Sequence, residues 1–465
     1  MPQDNESSHR SSSGLLVSAA VILFLIGAGV AWWRLHPAAL QAGAAAQPET
    51  ILSMHGSNTI GAQLAGALAE AFLKRQGAHS MRTVPGPHPD EFNVLGTLPG
   101  DARPKAIEIQ AHGSATAFPD LAAGKCDIGM ASRRAKPEEA ALLAKLGDMS
   151  SPGCEHVVGL DGLAIIVNKR NAVAALSLNQ IGKIFTGEIA DWKDAGGAPG
   201  AIRVLARDDK SGTYDTFKAL VLGKRQLVAG AVRLEDSREL SDRISGDANA
   251  IGFIGLPYIR SAKAVAVWEP GTAPLVPNRL TVATEDYLLS RRLFFYTAAS
   301  PNPLVRRFVE FALGSDGQDI VAQIGFVELN VKAESAAAVP NSAPEYRSTI
   351  AGAERLSLNF RFLTGSSGLD NRALADLDRV AGFLSTPGRT RGGVVLCGFA
   401  DSIGTSEVNQ ALSLNRANVV ADEFRRRGIV PAAVTGFGAA SPVASNQTED
   451  GRQKNRRVEV WLRTM

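Results

Sequence analysis

A chain of 465 residues is too long for one ordinary core and predicts two or three domains. Charged residues make up 20%, apolar ones 45%, and the formal net charge is +3. That near-balance argues against an electrostatic nucleic-acid binder, which needs a strong basic footprint, and the clusters Arg425–Arg427 and Arg452–Arg457 read as solvated surface.

In chain order, residues 1–13 read as a cytoplasmic tail, and residues 14–34, read as a transmembrane anchor, contain LLVSAAVILFLIGAGVAWW, Leu15 to Trp33, which carries no charge. As a helix this run would span about 29 Å at ~1.5 Å per residue, enough for a transmembrane helix. Trp32 and Trp33 stand where interfacial aromatics belong, with Arg34 and His36 just outside. Two readings stay open. A cleaved signal peptide would leave the chain in the periplasm, with the alanines at 44–46 as cleavage site. The run exceeds a normal signal core and those alanines lie far downstream, which favours an uncleaved, single-pass inner-membrane anchor.

Residues 35–49 have linker composition, rich in alanine, proline and glutamine. From 50 to 332, β-like runs such as TILSM, AIEIQA, CDIGMA, GLAIIVN, AIRVLA and AIGFIGL alternate with helix-like ones. Ile60, Leu64, Leu68 and Phe72 recur every four residues, the signal of an amphipathic helix. Strand–helix alternation predicts an α/β body. Residues 333–350, rich in Ala, Ser and Pro, read as a second linker, and 351–465 reads β-α-β-α-β, a small α+β domain. No pair among Cys126, Cys154 and Cys397 has metal-site spacing, so no metal or cofactor is expected. In an exported chain Cys126 and Cys154 are a candidate disulfide, with two free thiols as the other reading.

Three loops of the body share one design. HGSNT at 55–59, HGSAT at 112–116 and ARDDKSGTYDTF at 206–217 each place Gly, Ser and Thr where a strand becomes a helix. Helix N-termini expose unpaired N–H groups at the positive end of the dipole. Singly, such a loop is an ordinary cap. Three converging, with Arg207 beside the third, would cage a small oxyanion. His55 and His112 would then flank the entrance, and their titration would weaken affinity as pH rises past neutrality.

The stretch 161–217, from DGLAIIVNKRN to ARDDKSGTYDTF, resembles the PstS-type periplasmic phosphate-binding proteins. CDIGMASRRAK at 126–136 and GSNT at 56–59 belong to the same resemblance, which covers nearly all of 50–330. It implies a two-lobed periplasmic-binding-protein fold of type II that holds phosphate in a hinged cleft. The ligand positions it carries over are Ser57, Thr59, Ser114, Ser132, Arg207, Ser211, Gly212 and Thr213. It also implies a phosphate ABC transporter as partner. Ser132 stands where some members place an aspartate that accepts a proton from phosphate, and HGSAT replaces a glycine-rich loop. Oxyanion binding is therefore expected more firmly than strict phosphate selectivity.

The C-terminal segment carries GFADSIGTSEVNQALSLNRANVVADEFRRRGI and TGFGAASPVASNQTEDGRQKNRRVEV. Across its length it resembles the OmpA-like peptidoglycan-binding domain. The resemblance implies that Asp401 takes the ammonium, and Arg416 the carboxylate, of diaminopimelate in the wall's stem peptide, with Asn409 and Arg457 in support. A carboxylate and a guanidinium suit such a zwitterion. Phe399 and Ala400 replace the usual His-Thr pair.

No enzyme is expected. All seven histidines lie at or before His156, and the G-x-S-x-G, HExxH and P-loop motifs are absent. A phosphatase using Ser57 or Ser211 with His112 as base, and a plain membrane-to-wall tether with a dead pocket, are the competing readings.

Overall fold

The computed structural model describes residues 47–463 apart from 210, 337–341, 364–365, 367 and 387–392. The charge-free run at 15–33 lies outside these residues. Among the described ones, no helix is long and apolar enough to cross a membrane.

The body is built on one 11-stranded sheet whose two halves form two lobes. In the first lobe, the strands Lys105–Gln110, Glu49–Gly56 and Ile128–Ala131 are neighbours and run parallel. The antiparallel strands Glu91–Thr97 and His79–Pro85 extend its edge. In the second lobe, Ala250–Gly255, Arg203–Arg207 and Val232–Leu234 are parallel neighbours. Between the halves runs Glu155–Val167, 13 residues long and buried at all but one position. Its first part pairs with Ser290–Tyr296 and its last part with Ala250–Gly255, so this strand belongs to both lobes. Burial on both faces explains its near-continuous apolar sequence.

Each lobe closes around an apolar layer. Leu64, Leu68 and Phe72, the predicted helical stripe, bury against Leu52, Met54, Ile107 and Phe308. Phe72 and Phe308 meet edge to face at 5.1 Å. In the second lobe Phe217 stacks on Phe253 at 3.9 Å, with Phe185 against both. Each such ring contributes about 1.5–3 kcal/mol by leaving water. Helix starts are specified locally: Ser177 and Gln180 form a reciprocal cap on Leu178–Thr186, and Asp236 caps Ser237–Gly246.

The C-terminal domain is a five-stranded sheet in the order Ala333–Ser335, Ala353–Arg361, Arg457–Arg463, Val394–Gly398, Ala433–Gly436. Asn371–Leu384 and Ser406–Arg426 cover one face. Part of the segment read as a linker is structured: Ala333–Ser335 joins the sheet, and Pro344–Thr349 is a helix. Tyr346 anchors that helix, packed on Phe399, Phe437 and Trp461, with its hydroxyl donating to Glu459 at 2.6 Å. Ala-Ser-Pro composition hid an element held by one aromatic. Cys126, Cys154 and Cys397 are buried free thiols, so the candidate disulfide is not formed. Cys126 and Cys154 fill space in the same apolar cluster, and burial pushes the Cys126 thiol up to about 12.

The two domains meet across a charged interface that touches both lobes. On the first lobe, Asn371 donates to the Ser150 carbonyl at 2.7 Å. On the second, the Ser445 N–H donates to Glu269 at 2.7 Å. Between them, Glu285 accepts from Arg292 and Arg361, and Asp286 pairs with Arg355 at 2.7 Å.

Near this boundary His156 is held neutral. Burial lowers it to about 4 from 6.5, and Thr297 Oγ1 lies 3.1 Å from its Nε2. The unfolded chain takes up this proton first, so stability present above pH 6.5 falls as pH drops toward 4. Replacing His156 with Gln should remove about 2–3 kcal/mol of that acid sensitivity. Melting temperatures at pH 7 and pH 5 check this, and parallel drops in both proteins would contradict it.

Candidate functional site

The three parallel strands of the first lobe end side by side, and the predicted serines follow their carboxyl ends. Ligands of open α/β sheets bind at such ends. Ser57 follows Gly56, and its N–H donates to the Met130 carbonyl at 2.8 Å. Gly113, at φ +104°, donates to the Gly56 carbonyl at 2.8 Å, which docks the second loop against the first. Ser114 then opens the helix Ser114–Ala122 and its hydroxyl accepts from the Ser132 N–H at 3.0 Å. The Ser114 and Ser132 hydroxyls are 3.2 Å apart. Ser57 Oγ is buried and finds no hydrogen-bond partner among the described residues. A buried hydroxyl without a partner costs free energy, and Ser57 itself lines neither of the two cavities described below.

The third loop reaches this junction from the other lobe. Ser211 caps Gly212–Phe217, and Gly212 lies against Thr59. A Cβ added at Gly212 would fall 2.1 Å from Thr59 Oγ1 and 2.9 Å from its backbone nitrogen, so only glycine permits this approach. Thr59, Arg207, Ser211, Gly212 and Thr213 line a cavity of about 300 Å³ between the lobes. Arg207 donates to Ser237 Oγ at 2.5 Å and to the Leu234 carbonyl at 3.3 Å. Burial disfavours its charge, and Asp208 partly offsets that. Ser114 and Ser132 instead face a second cavity of about 770 Å³.

Between the two cavities stands Arg291, which sequence reasoning missed. It donates to Thr59 Oγ1 at 2.9 Å, to the Gly212 carbonyl at 3.1 Å, and to Asp161 Oδ2 through Nε and Nη2 at 3.0 and 2.8 Å. This one guanidinium ties the first and third loops together. Asp161 Oδ1 is buried without a partner among the described residues and lines the smaller cavity. The only signal was RR at 291–292 opening an apolar strand, a place where two charges demand partners.

The paired histidines do not act as a pair. His55 is buried with Nδ1 3.0 Å from Asp120, and neither cavity touches it. The strand's alternation turns it under the loop. His112 is exposed, lies 2.8 Å from Glu91, and lines only the larger cavity.

In the C-terminal domain, Asp401 and Arg416 lie beside Phe399, Asp401 two residues on and Arg416 3.5 Å from its carbonyl. Arg416 also sits over the Phe362 ring at 5.7 Å, and no carboxylate lies within 4.0 Å among the described residues. Burial disfavours its charge. Asp401 Oδ1 accepts from the Ile403 N–H at 2.9 Å, while Oδ2 pairs with Arg456 at 2.8 Å. Arg457, expected to support the site, lies behind it. Its side chain points inward, stacked over Phe399 at 4.0 Å and bonded to Glu459 at 2.8 Å. Its neighbour Arg456, which ends the helix Glu449–Asn455 just before the strand, is the arginine that reaches Asp401. Asn409 is buried, with its Oδ1 unpaired among the described residues.

The two lobes, the shared central strand and the cleft at the strand ends define a periplasmic-binding type of domain, and residues 62–316 match the PBP superfamily domain. Residues 361–456 match the OmpA family. The chain belongs to the PBP superfamily, with PstS relatives, and carries a C-terminal OmpA-family domain. It is 31% identical to the phosphate-binding protein PstS of Pseudomonas aeruginosa over 245 residues, covering 49% of this chain and 75% of that protein. The PstS of Bacillus subtilis is 30% identical over 223 residues, 48% of this chain and 70% of its own length. The peptidoglycan-binding protein ArfA of Mycobacterium bovis is 42% identical over 86 residues, 18% of this chain and 26% of that protein. Each of these relatives is named for what it binds, phosphate or peptidoglycan.

Proposed function

We propose that the chain binds inorganic phosphate, or a closely related oxyanion, between its lobes and peptidoglycan through its C-terminal domain. The observation that carries this reading is the approach of the first and third loops, Gly212 against Thr59, at the cavity that Arg207 lines, with the Ser114 loop docked on the first loop through Gly113. Hydroxyls and loop amides there can replace an anion's water shell as the lobes close. Ser132 offers no carboxylate, but the unpaired Asp161 Oδ1 gives a protonated phosphate oxygen an acceptor that sulfate could not use. Similarity to proteins named for phosphate binding supports the same ion.

In the tail, Asp401 and the carboxylate-free Arg416 suit the ammonium and carboxylate of diaminopimelate, with Arg456 orienting Asp401. The apolar run at 15–33 would fix the chain to the inner membrane and hold the bulk in the periplasm. A chain held at both ends favours local capture or sensing beside a phosphate transporter over free shuttling.

Equilibrium dialysis of the full-length protein against labelled phosphate tests the first half, with saturable uptake expected. Cosedimentation with purified sacculi tests the second. Asp401→Asn and Arg416→Gln should each lower wall retention about tenfold or more, as loss of a charge-assisted contact does. Retention equal to the parent would reject the wall site.

A further inference from the structure

The larger cavity is not needed for an ion of five heavy atoms. It measures about 770 Å³, within the ~300–1,000 Å³ range of pockets that hold organic ligands. Its walls come from two domains: Ser114, Ser132 and Arg292 from the binding domain, Arg361, Gln453 and Lys454 from the C-terminal one. Ala115, Ala219, Leu220 and Phe294 add apolar lining suited to carbon.

The charges are uneven in kind. Arg292 and Arg361 are neutralised by Glu285, and Arg292 also by Asp370. Lys454 is different. Its ammonium donates to the Leu288 carbonyl at 2.8 Å, and no ion pair joins it to a carboxylate among the described residues. Burial, with Arg361 beside it, lowers its pKa to about 8. Glu285, Glu269 and Asp286 act on it only from a distance, and a desolvated cation that lines a cavity without a contact ion pair is completed by an anionic ligand group. At the other wall, two hydroxyls 3.2 Å apart can rotate to donate together to a phosphoryl oxygen.

We infer that this cavity takes a small organic phosphate with a second anionic group, its phosphoryl on Ser114 and Ser132 and its other anion on Lys454. This deepens the anion-site reading of the strand ends and rests on it. It also gives the C-terminal domain a part in ligand choice, since that domain supplies Lys454.

Calorimetry on the full-length protein in detergent tests the inference with three probes: inorganic phosphate, glycerol 3-phosphate and 3-phosphoglycerate. The expected result is that 3-phosphoglycerate binds, competes with inorganic phosphate, and exceeds glycerol 3-phosphate by about tenfold, the worth of one charge-assisted contact. Lys454→Gln should erase that advantage and leave inorganic phosphate within about twofold, well below the tenfold that marks a lost contact. Ala219→Trp, on the opposite wall and exposed, should exclude both esters and spare the ion, which guards against a folding defect in the first variant. Binding of inorganic phosphate with no heat from either ester overturns the inference and leaves the proposed function standing. Esters that bind equally well, with or without Lys454, overturn the role of Lys454. Silence from all three probes overturns both readings.

Discussion

Replacing Glu285 with alanine should cost about 3–5 kcal/mol of stability, the largest loss expected from any one side chain at the domain boundary. Its carboxylate accepts from Arg292 at 2.5 and 2.9 Å and from Arg361 at 3.0 Å, and Arg372 lies 3.4 Å away. These four side chains are nearly or wholly out of water. The arginines around Glu285 hold its carboxyl well below the usual carboxylate range even though burial alone would raise it. A paired buried charge is a modest net gain, but removing one partner strands the others. Here the stranded groups belong to both domains, so the interface should loosen together with the fold. Glu285 also sits at φ +58°, a backbone region that non-glycine residues adopt at a cost unless their surroundings hold them. Denaturant unfolding followed by tryptophan fluorescence checks the value. A loss under about 1 kcal/mol, the range of a surface pair, would show that the cluster is wet and weak. Lys74 and Glu70, an exposed pair one helical turn apart, provide the contrast and should be replaceable with little effect.

Gly212→Val should lower phosphate affinity about a hundredfold while the protein still folds, because displacement by an ångström at a binding centre has effects of that size. Any Cβ at 212 meets Thr59 on the opposite lobe, 2.1 Å from Oγ1 and 2.9 Å from the nitrogen. The clash is between lobes rather than inside either core, so it is relieved by opening the cleft. Opening also breaks the bonds from Arg291 to Thr59 and to the Gly212 carbonyl. Affinity unchanged in a folded Gly212→Val protein would mean that this approach of the lobes has no part in binding.

These two residues show what was legible in the sequence. Gly212 could be found because SGT between an apolar strand and an amphipathic segment is a local pattern, and local patterns fix strand ends and caps. Ser57, Ser114 and Ser132 were legible for the same reason, and parallel pairing of their strands brings them together. His55 misled because HGSNT and HGSAT look alike as strings, yet one histidine belongs to a buried strand position and the other to an exposed loop. Arg291 and Arg456 were invisible because their partners lie 130 and 55 residues away. Pairing at that separation leaves no local trace. The edge strand His79–Pro85 escaped for a different reason: it is exposed along most of its length, so no apolar alternation marks it. The domain interface was hidden most completely. Glu285 and Arg292 lie far in the sequence from Arg361 and Arg372, and only the docked fold makes them a buried cluster.

The central claim is that the first and third strand-end loops and Arg207 form one anion site between the lobes. Isothermal titration of the full-length protein with phosphate, with sulfate as comparator, tests it most directly. The account predicts saturable heat for one phosphate per chain, weaker binding of sulfate, and loss of both signals in Arg207→Gln. A folded protein that gives no saturable heat with phosphate, or a titration that Arg207→Gln leaves untouched, would contradict it.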